Sequence, residues 1–151
     1  MEDFWLIQQH LRRPTAMPYG THMHLFKTGI KPVWEDPAFV NGCQLEIKSQ
    51  KQQTSKFWED LILAMMGEQF EEENFIAGMV MKLKPQFDKI AIWMVDASNE
   101  KAIKSVKDKV IEILQVEEAV VEYASFESLK NMPQPQKFNK NKRKKPDGTV
   151  P

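Results

Sequence analysis

Near the middle of the chain, apolar residues alternate with polar or small ones in two successive runs. FIAGMVMKLK (75–84) and DKIAIWMV (88–95) each read as a strand, and the short link from Pro85 makes the pair a hairpin. Strand side chains change face at every residue. One face then carries Met79, Met81, Leu83, Ile90, Ile92 and Met94, and the other carries Lys82, Lys84, Lys89 and Trp93. The first is a core face. The second, three lysines and a tryptophan, is not needed for stability.

Helical spacing appears on both sides of this hairpin. Residues 2–12 place Phe4, Ile7 and Leu11 on one stripe, with acids first, an arginine late and Pro14 closing the segment. Trp5 falls off that stripe, beside Gln8, Gln9 and Arg12, as a candidate exposed aromatic. Thr54 or Ser55 caps a helix, SKFWEDLILAMM, which Gly67 stops. Ser98 or Asn99 caps another over 100–114, with Ile103, Val106, Val110, Ile113 and Leu114 on its apolar side. CQLEIK (43–48) and EAVVEYA (118–124) read as further strands, and residues 15–42, rich in proline and glycine, as loop. Four strands and three helices in this order predict an α+β fold: an antiparallel or mixed sheet with helices on one face.

The length, 151 residues, suits one domain, divided here into a folded part (1–130) and a basic tail (131–151) that reads as disordered. The formal net charge is +0, so contact with nucleic acid requires a local patch rather than the whole surface. The tail run KFNKNKRKK (137–145) is one such patch. It suits an RNA clamp, a nuclear signal or a solubilising end equally. A single cysteine, Cys43, excludes an internal disulfide framework, and His10, His22 and His24 lack zinc-type cysteine partners. There is no apolar run long enough for a membrane span, and MEDFWLIQQH has no signal-peptide features. The expected location is cytoplasmic or nuclear.

Two prolines, Pro32 and Pro37, frame Trp34-Glu35-Asp36 in GIKPVWEDPAFVNG (29–42). Proline restricts itself and its predecessor, so this is a surface loop that presents an indole and a carboxylate together. Trp34 and Trp93 offer flat aromatic surfaces, Glu35 two acceptor oxygens, and Lys84 and Lys89 charge for phosphates. A ring that is cationic, donates hydrogen bonds and carries a phosphate chain matches all three. Guanine methylated at N7 is such a ring. Its charge strengthens stacking on indole, and its N1–H and N2–H suit one carboxylate.

At this point the opening EDFW, the WED loop, KFWEDLILAMMGEQF and DKIAIW together resemble the eukaryotic translation initiation factor 4E family, which binds the 5′ cap of messenger RNA. The likeness runs in order from Glu2 to about Tyr123. It implies a curved antiparallel sheet, three helices on the convex face and a cap slot on the concave one. It implies a non-enzymatic binder, without cofactor or metal, whose ligand is the 7-methylguanosine cap, m7GTP or m7GDP. Trp34 would stack, Glu35 would read the guanine edge, Lys84 and Lys89 would hold phosphates, and Trp93 would lie beside the N7-methyl group. Trp5, Asp60, Leu63, Met66 and Gly67 match the surface that receives a helix from a 4G-type scaffold initiation factor or a 4E-binding protein.

The chain departs from the family in three places. It opens at the first helix, so two strands and one of the two stacking tryptophans have no counterpart, and Tyr19, His22 and His24 become candidates for the second stacking group. The shorter sheet leaves an edge open to a second chain or to self-association. Lys84 lacks the planar fork of the family's arginine, and Cys43-Gln44 stands where basic and aromatic residues are common. These departures motivate an alternative, a decoy or repressor that holds the scaffold and binds cap weakly. An enzyme acting on capped ends is a poorer fit, because Glu71, Glu72 and Glu73 form one consecutive run without ligand spacing.

Overall fold

The computed structural model describes residues 1–133 of the chain. Five strands, β1 (His22–Phe26), β2 (Cys43–Ser49), β3 (Ile76–Lys82), β4 (Asp88–Met94) and β5 (Val121–Ser125), form one sheet in the order β1-β3-β4-β2-β5. Each neighbouring pair is antiparallel. Four helices accompany it: α1 (Glu2–His10), α2 (Thr54–Met66), α3 (Glu100–Leu114) and the short α4 (Phe126–Lys130). The expected curved antiparallel sheet backed by three helices is the fold observed, with α4 in addition.

The alternation foreseen for the β3–β4 hairpin builds the main core. Met79, Met81, Ile90, Ile92 and Met94 join Cys43, Leu45 and Ile47 of β2 beneath Phe57, Trp58, Leu61 and Ile62 of α2 and Val106, Val110 and Leu114 of α3. The helix limits have local causes. Asn99 Oδ1 accepts the Ala102 N–H at 3.0 Å and starts α3. Gly67 ends α2 with its N–H on Leu63 O at 2.9 Å. Thr54, expected as a cap, is instead the first helical residue, and its buried hydroxyl donates to Asp88 Oδ2 at 2.7 Å. Burial pushes the Asp88 carboxyl up, but bonds from Lys51, Thr54 and the Lys84 N–H outweigh it and hold it below the usual range. A carboxyl lowered in this way stabilises the fold above the ordinary carboxylate range, and that contribution is lost as pH falls through its folded pKa.

Three further expectations are corrected. Residues 22–26 form an edge strand rather than loop, because HMHLF alternates and pairs along its whole length with β3. The last strand starts at Val121, after a 3-10 turn over Glu118–Val120. On α1 it is Phe4 and Trp5 that pack on the core, while Ile7 is 63% and Leu11 45% exposed. Two adjacent aromatics, edge to face at 5.1 Å, bury more apolar area than Ile7 and Leu11 would, so they set the roll of the helix.

The edge has a definite hydrogen-bonding polarity. Lys27 N–H donates to Ala77 O and Leu83 N–H to Thr21 O, so the odd-numbered residues 21–27 face β3. The backbone groups of His22, His24 and Phe26 therefore point away from the sheet. Next to them, Gly78 is required by close approach. A Cβ there would lie 2.4 Å from Leu25 O and 2.6 Å from Phe26 Cγ. Gly78→Ala is expected to cost about 3 kcal/mol, at the upper end of overpacking effects, measured by urea denaturation. A loss below 1 kcal/mol would mean that β1 simply slides outward.

Candidate functional site

The face of the sheet turned away from α2 and α3 holds a second, smaller apolar cluster: Phe39, Ala77, Val80, Ala91, Trp93 and Phe126. Strand register orders the remaining side chains of this face into rows. His22, Lys82, Lys89 and Lys48 lie opposite one another across β1, β3, β4 and β2. The next row is His24, Val80, Ala91 and Glu46, and the next is Phe26, Gly78, Trp93 and Gln44. One row is thus basic, one mixed and one aromatic.

The loop between β1 and β2 leans over these rows. Gly29, with φ +88, supplies a left-handed turn at its start. Asp36 then fastens it: its carboxylate accepts the Lys31 and Ala38 N–H groups at 2.9 Å each, and these bonds hold its pKa below the usual range. With the loop stitched at Asp36, Trp34 and Glu35 are displayed together. The Trp34 ring lies 5.9 Å from Phe126, with planes 25° apart, so one face of the indole has an aromatic backing. Phe126 in turn meets Trp93 at 4.8 Å and Phe39 at 5.4 Å.

A hollow of about 240 Å³ results, lined by His22, His24, Pro32, Val33, Trp34, Glu35, Val80, Lys82 and Trp93. It brings together Trp34, Glu35 and Trp93 of the sequence-derived set. Glu35 is exposed, whereas Trp93 is only 5% exposed and packed edge to face with Phe26 and Phe39. Lys89 lies opposite Lys82 in the basic row and is ion-paired with Glu46. Lys84 is not among the lining residues. β3 ends at Lys82, and the Lys84 N–H turns to Asp88 Oδ1 at 3.0 Å, so Lys84 sits on the hairpin link. Lys82 takes the position at the hollow and has no ion-pair partner among the described residues.

The three candidates for a second stacking group separate. Tyr19 lies elsewhere, with Lys51 Nζ 4.7 Å from its ring centroid. His22 and His24 line the hollow, their rings 6.4 Å apart and 24° from parallel. Burial first, then the charges of His22 and Lys82, lower the His24 pKa, so its imidazole is neutral at pH 7. The alternating His-x-His-x-Phe of β1 was the available signal for this wall; Phe126 gave none, lying in a five-residue helix.

A second surface lies behind the sheet. A hollow of about 380 Å³ is lined by Trp5, Gln8, Trp58, Ile62 and Leu63 among others, and Leu63 is 53% exposed. The Trp58 indole Nε1 is buried there without a hydrogen-bond partner among the described residues. Asp60 pairs with Lys56 on the same helix. Met66 lines a different hollow, with Leu25, Phe26 and Phe70, and Gly67 caps α2 beside it. Trp5 and Leu63 are thus brought together, and Met66 stands apart from them. The tail run 137–145 lies outside the described residues.

No group of three or more metal-ligating side chains gathers among the described residues, and none of the described helices is long and apolar enough to cross a membrane. Against known families, residues 1–143 match the model of eukaryotic initiation factor 4E. The translation initiation factor NCBP of Triticum aestivum is 36% identical over 110 residues, 73% of this chain and 47% of that protein. NCBP of Arabidopsis thaliana is 37% identical over 124 residues, 82% and 56% respectively. The chain therefore spans about half the length of these relatives. Among solved structures, C. elegans eIF4E-3, in complex with the 4E-binding protein Mextli and a cap analogue, superposes with a TM-score of 0.82 at 28% identity. The superposition covers 89% of this chain and 79% of that one. Ascaris suum eIF4E-3 with an m2,2,7G cap gives 0.79 at 27% identity, covering 90% and 78%.

Proposed function

From the premise that the chain belongs to the eukaryotic initiation factor 4E family, we propose that it binds the 7-methylguanosine cap of messenger RNA on its front face and recruits a scaffold factor on its back. The observation that carries this reading is the juxtaposition around one hollow of Trp34, Glu35 and Lys82, the last without an ion-pair partner among the described residues. The cationic base stacks on Trp34, which Phe126 backs. Glu35 accepts from guanine N1–H and N2–H. The phosphates run to Lys82 and Lys89, where Lys89 exchanges part of its pairing with Glu46 for the ligand. The protein acts as a binder in translation initiation, without catalysis, in the cytoplasm. A partner helix lies along Trp5 and Leu63, with a basic residue toward Asp60.

The test is the affinity of the intact chain for m7GTP against GTP, followed by tryptophan fluorescence. A preference of about tenfold or more for m7GTP is expected, because only the methylated base carries the charge that indole stabilises. Equal, weak binding of both would end the cap reading.

In this reading His24, which lines the hollow from β1, supplies the second stacking group. His24→Ala is expected to weaken m7GTP about fivefold and Tyr19→Ala not at all, in keeping with one modest stacking contact. The pH sign follows. His24 is neutral at pH 7 and gains a proton as pH falls, when an imidazolium would face a cationic base. Affinity should fall as pH drops below the ordinary histidine range in the wild type and much less in His24→Phe. An identical profile in both would remove His24 from the slot.

A further inference from the structure

The basic row extends past the hollow. From Lys82 and Lys89 it continues to Lys48 on β2, one strand further, about 5 Å away. Lys48 is exposed and has no ion-pair partner among the described residues. Its ammonium instead lies 4.2 Å above the ring of Phe87. Phe87 immediately precedes β4, and continuing the alternation of Lys89, Ala91 and Trp93 puts it on the same face. The ring belongs to neither apolar cluster of the protein and stays partly in solvent. An aromatic ring and a free cation, held together at the margin of the basic row, thus contribute little to the core.

We propose that Lys48 and Phe87 form a subsite for the RNA that follows the cap, with a phosphodiester at Lys48 and a base stacked on Phe87. The inference rests on the cap reading above, which fixes where the strand begins. A triphosphate held between Lys82 and Lys89 can continue along the row in two directions. Toward β1 it meets His22 and the sheet edge; toward β2 it meets the Lys48 ammonium, which lies over the Phe87 ring just before β4, two residues before Lys89. The second direction offers the alternation of charge and flat surface that single-stranded nucleic acid requires. Stacking on phenylalanine reads no base identity, so this subsite adds affinity for any capped message rather than selecting among them.

The experiment compares m7GTP with a capped RNA of roughly eight nucleotides, a length within the site sizes of such grooves. Wild type, Phe87→Ala, Phe87→Tyr and Lys48→Ala are titrated at several salt concentrations. The wild type should bind the capped RNA about tenfold tighter than m7GTP. Phe87→Ala should lose most of that gain and keep its m7GTP affinity, which also reports that the variant is folded. Phe87→Tyr should retain the gain. Lys48→Ala should lower the salt slope for the capped RNA by about 0.7, with no change for m7GTP. Equal wild-type affinity for the two ligands would overturn the inference, as would an unchanged gain in Phe87→Ala. Failure of the wild type to bind m7GTP at all is a different result, and it refutes the cap reading first.

Discussion

Trp34→Ala is expected to lower m7GTP affinity about 30-fold, the equivalent of ~2 kcal/mol of cation–π attraction in a desolvated slot. Its effect on GTP should be much smaller, because the unmethylated base has no positive charge to lose. The ratio of m7GTP to GTP affinity should therefore collapse toward one. Glu35→Ala should behave differently. It leaves guanine N1–H and N2–H without an acceptor, a loss of ~1.5–3 kcal/mol. Both ligands present those donors, so both should weaken together and the ratio should survive. The two side chains are neighbours on one loop, held out by the bonds of Asp36 to Lys31 and Ala38. A general disturbance of that loop would move both ligands in both variants. The crossed pattern separates stacking from edge readout, and calorimetric titration of the two variants with the two nucleotides checks it. Unchanged m7GTP affinity in Glu35→Ala would refute the assignment of that carboxylate.

Phe126→Ala should be the most destabilising of the front-face substitutions. The ring is 1% exposed and meets Trp93, Phe39 and Trp34. Removing such a ring leaves a cavity and costs ~3–5 kcal/mol. For a domain of this size the melting temperature should fall by about 10 °C or more, read by circular dichroism. Phe126→Leu separates packing from function. Leucine restores much of the apolar volume, so the stability loss should shrink to about 1.5 kcal/mol. It gives no flat backing to Trp34, so m7GTP affinity should still fall. Equal affinity in Phe126→Leu and wild type would show that Trp34 holds its orientation without the ring behind it.

Much of the fold was legible because local and long-range signals agreed. The hairpin of β3 and β4 alternates from Gly78 onward, past a bulge between Ile76 and Gly78, and its back face is the observed core. The apolar stripe of α3 and its Asn99 cap coincide with the observed helix. β1 was hidden for a physical reason: it is short, sits between Gly20 and Gly29, and shows only Met23 and Leu25 to the core. Helix α1 was given the wrong roll because spacing alone cannot weigh an indole against an isoleucine. Trp34 and Glu35 stood out through their proline frame, whereas which of Lys82 and Lys84 lines the hollow did not lie in the alternation, which treats them alike. The hydrogen bonding separates them: Leu83 still bonds to Thr21 beside β1, and beyond it the Lys84 N–H turns to Asp88 on the hairpin link. Phe87 is a single aromatic in a link, with no period to mark it.

The polarity of β1 links two events on this molecule. The residues whose main-chain groups look outward from the sheet margin are also those whose imidazoles wall the hollow. Any polypeptide that pairs along that margin would restrict the backbone of His22 and His24, and with it the positions their rings can take. If pairing along the margin shifts the affinity of the hollow for a ligand, that ligand must shift the affinity of the margin by the same factor.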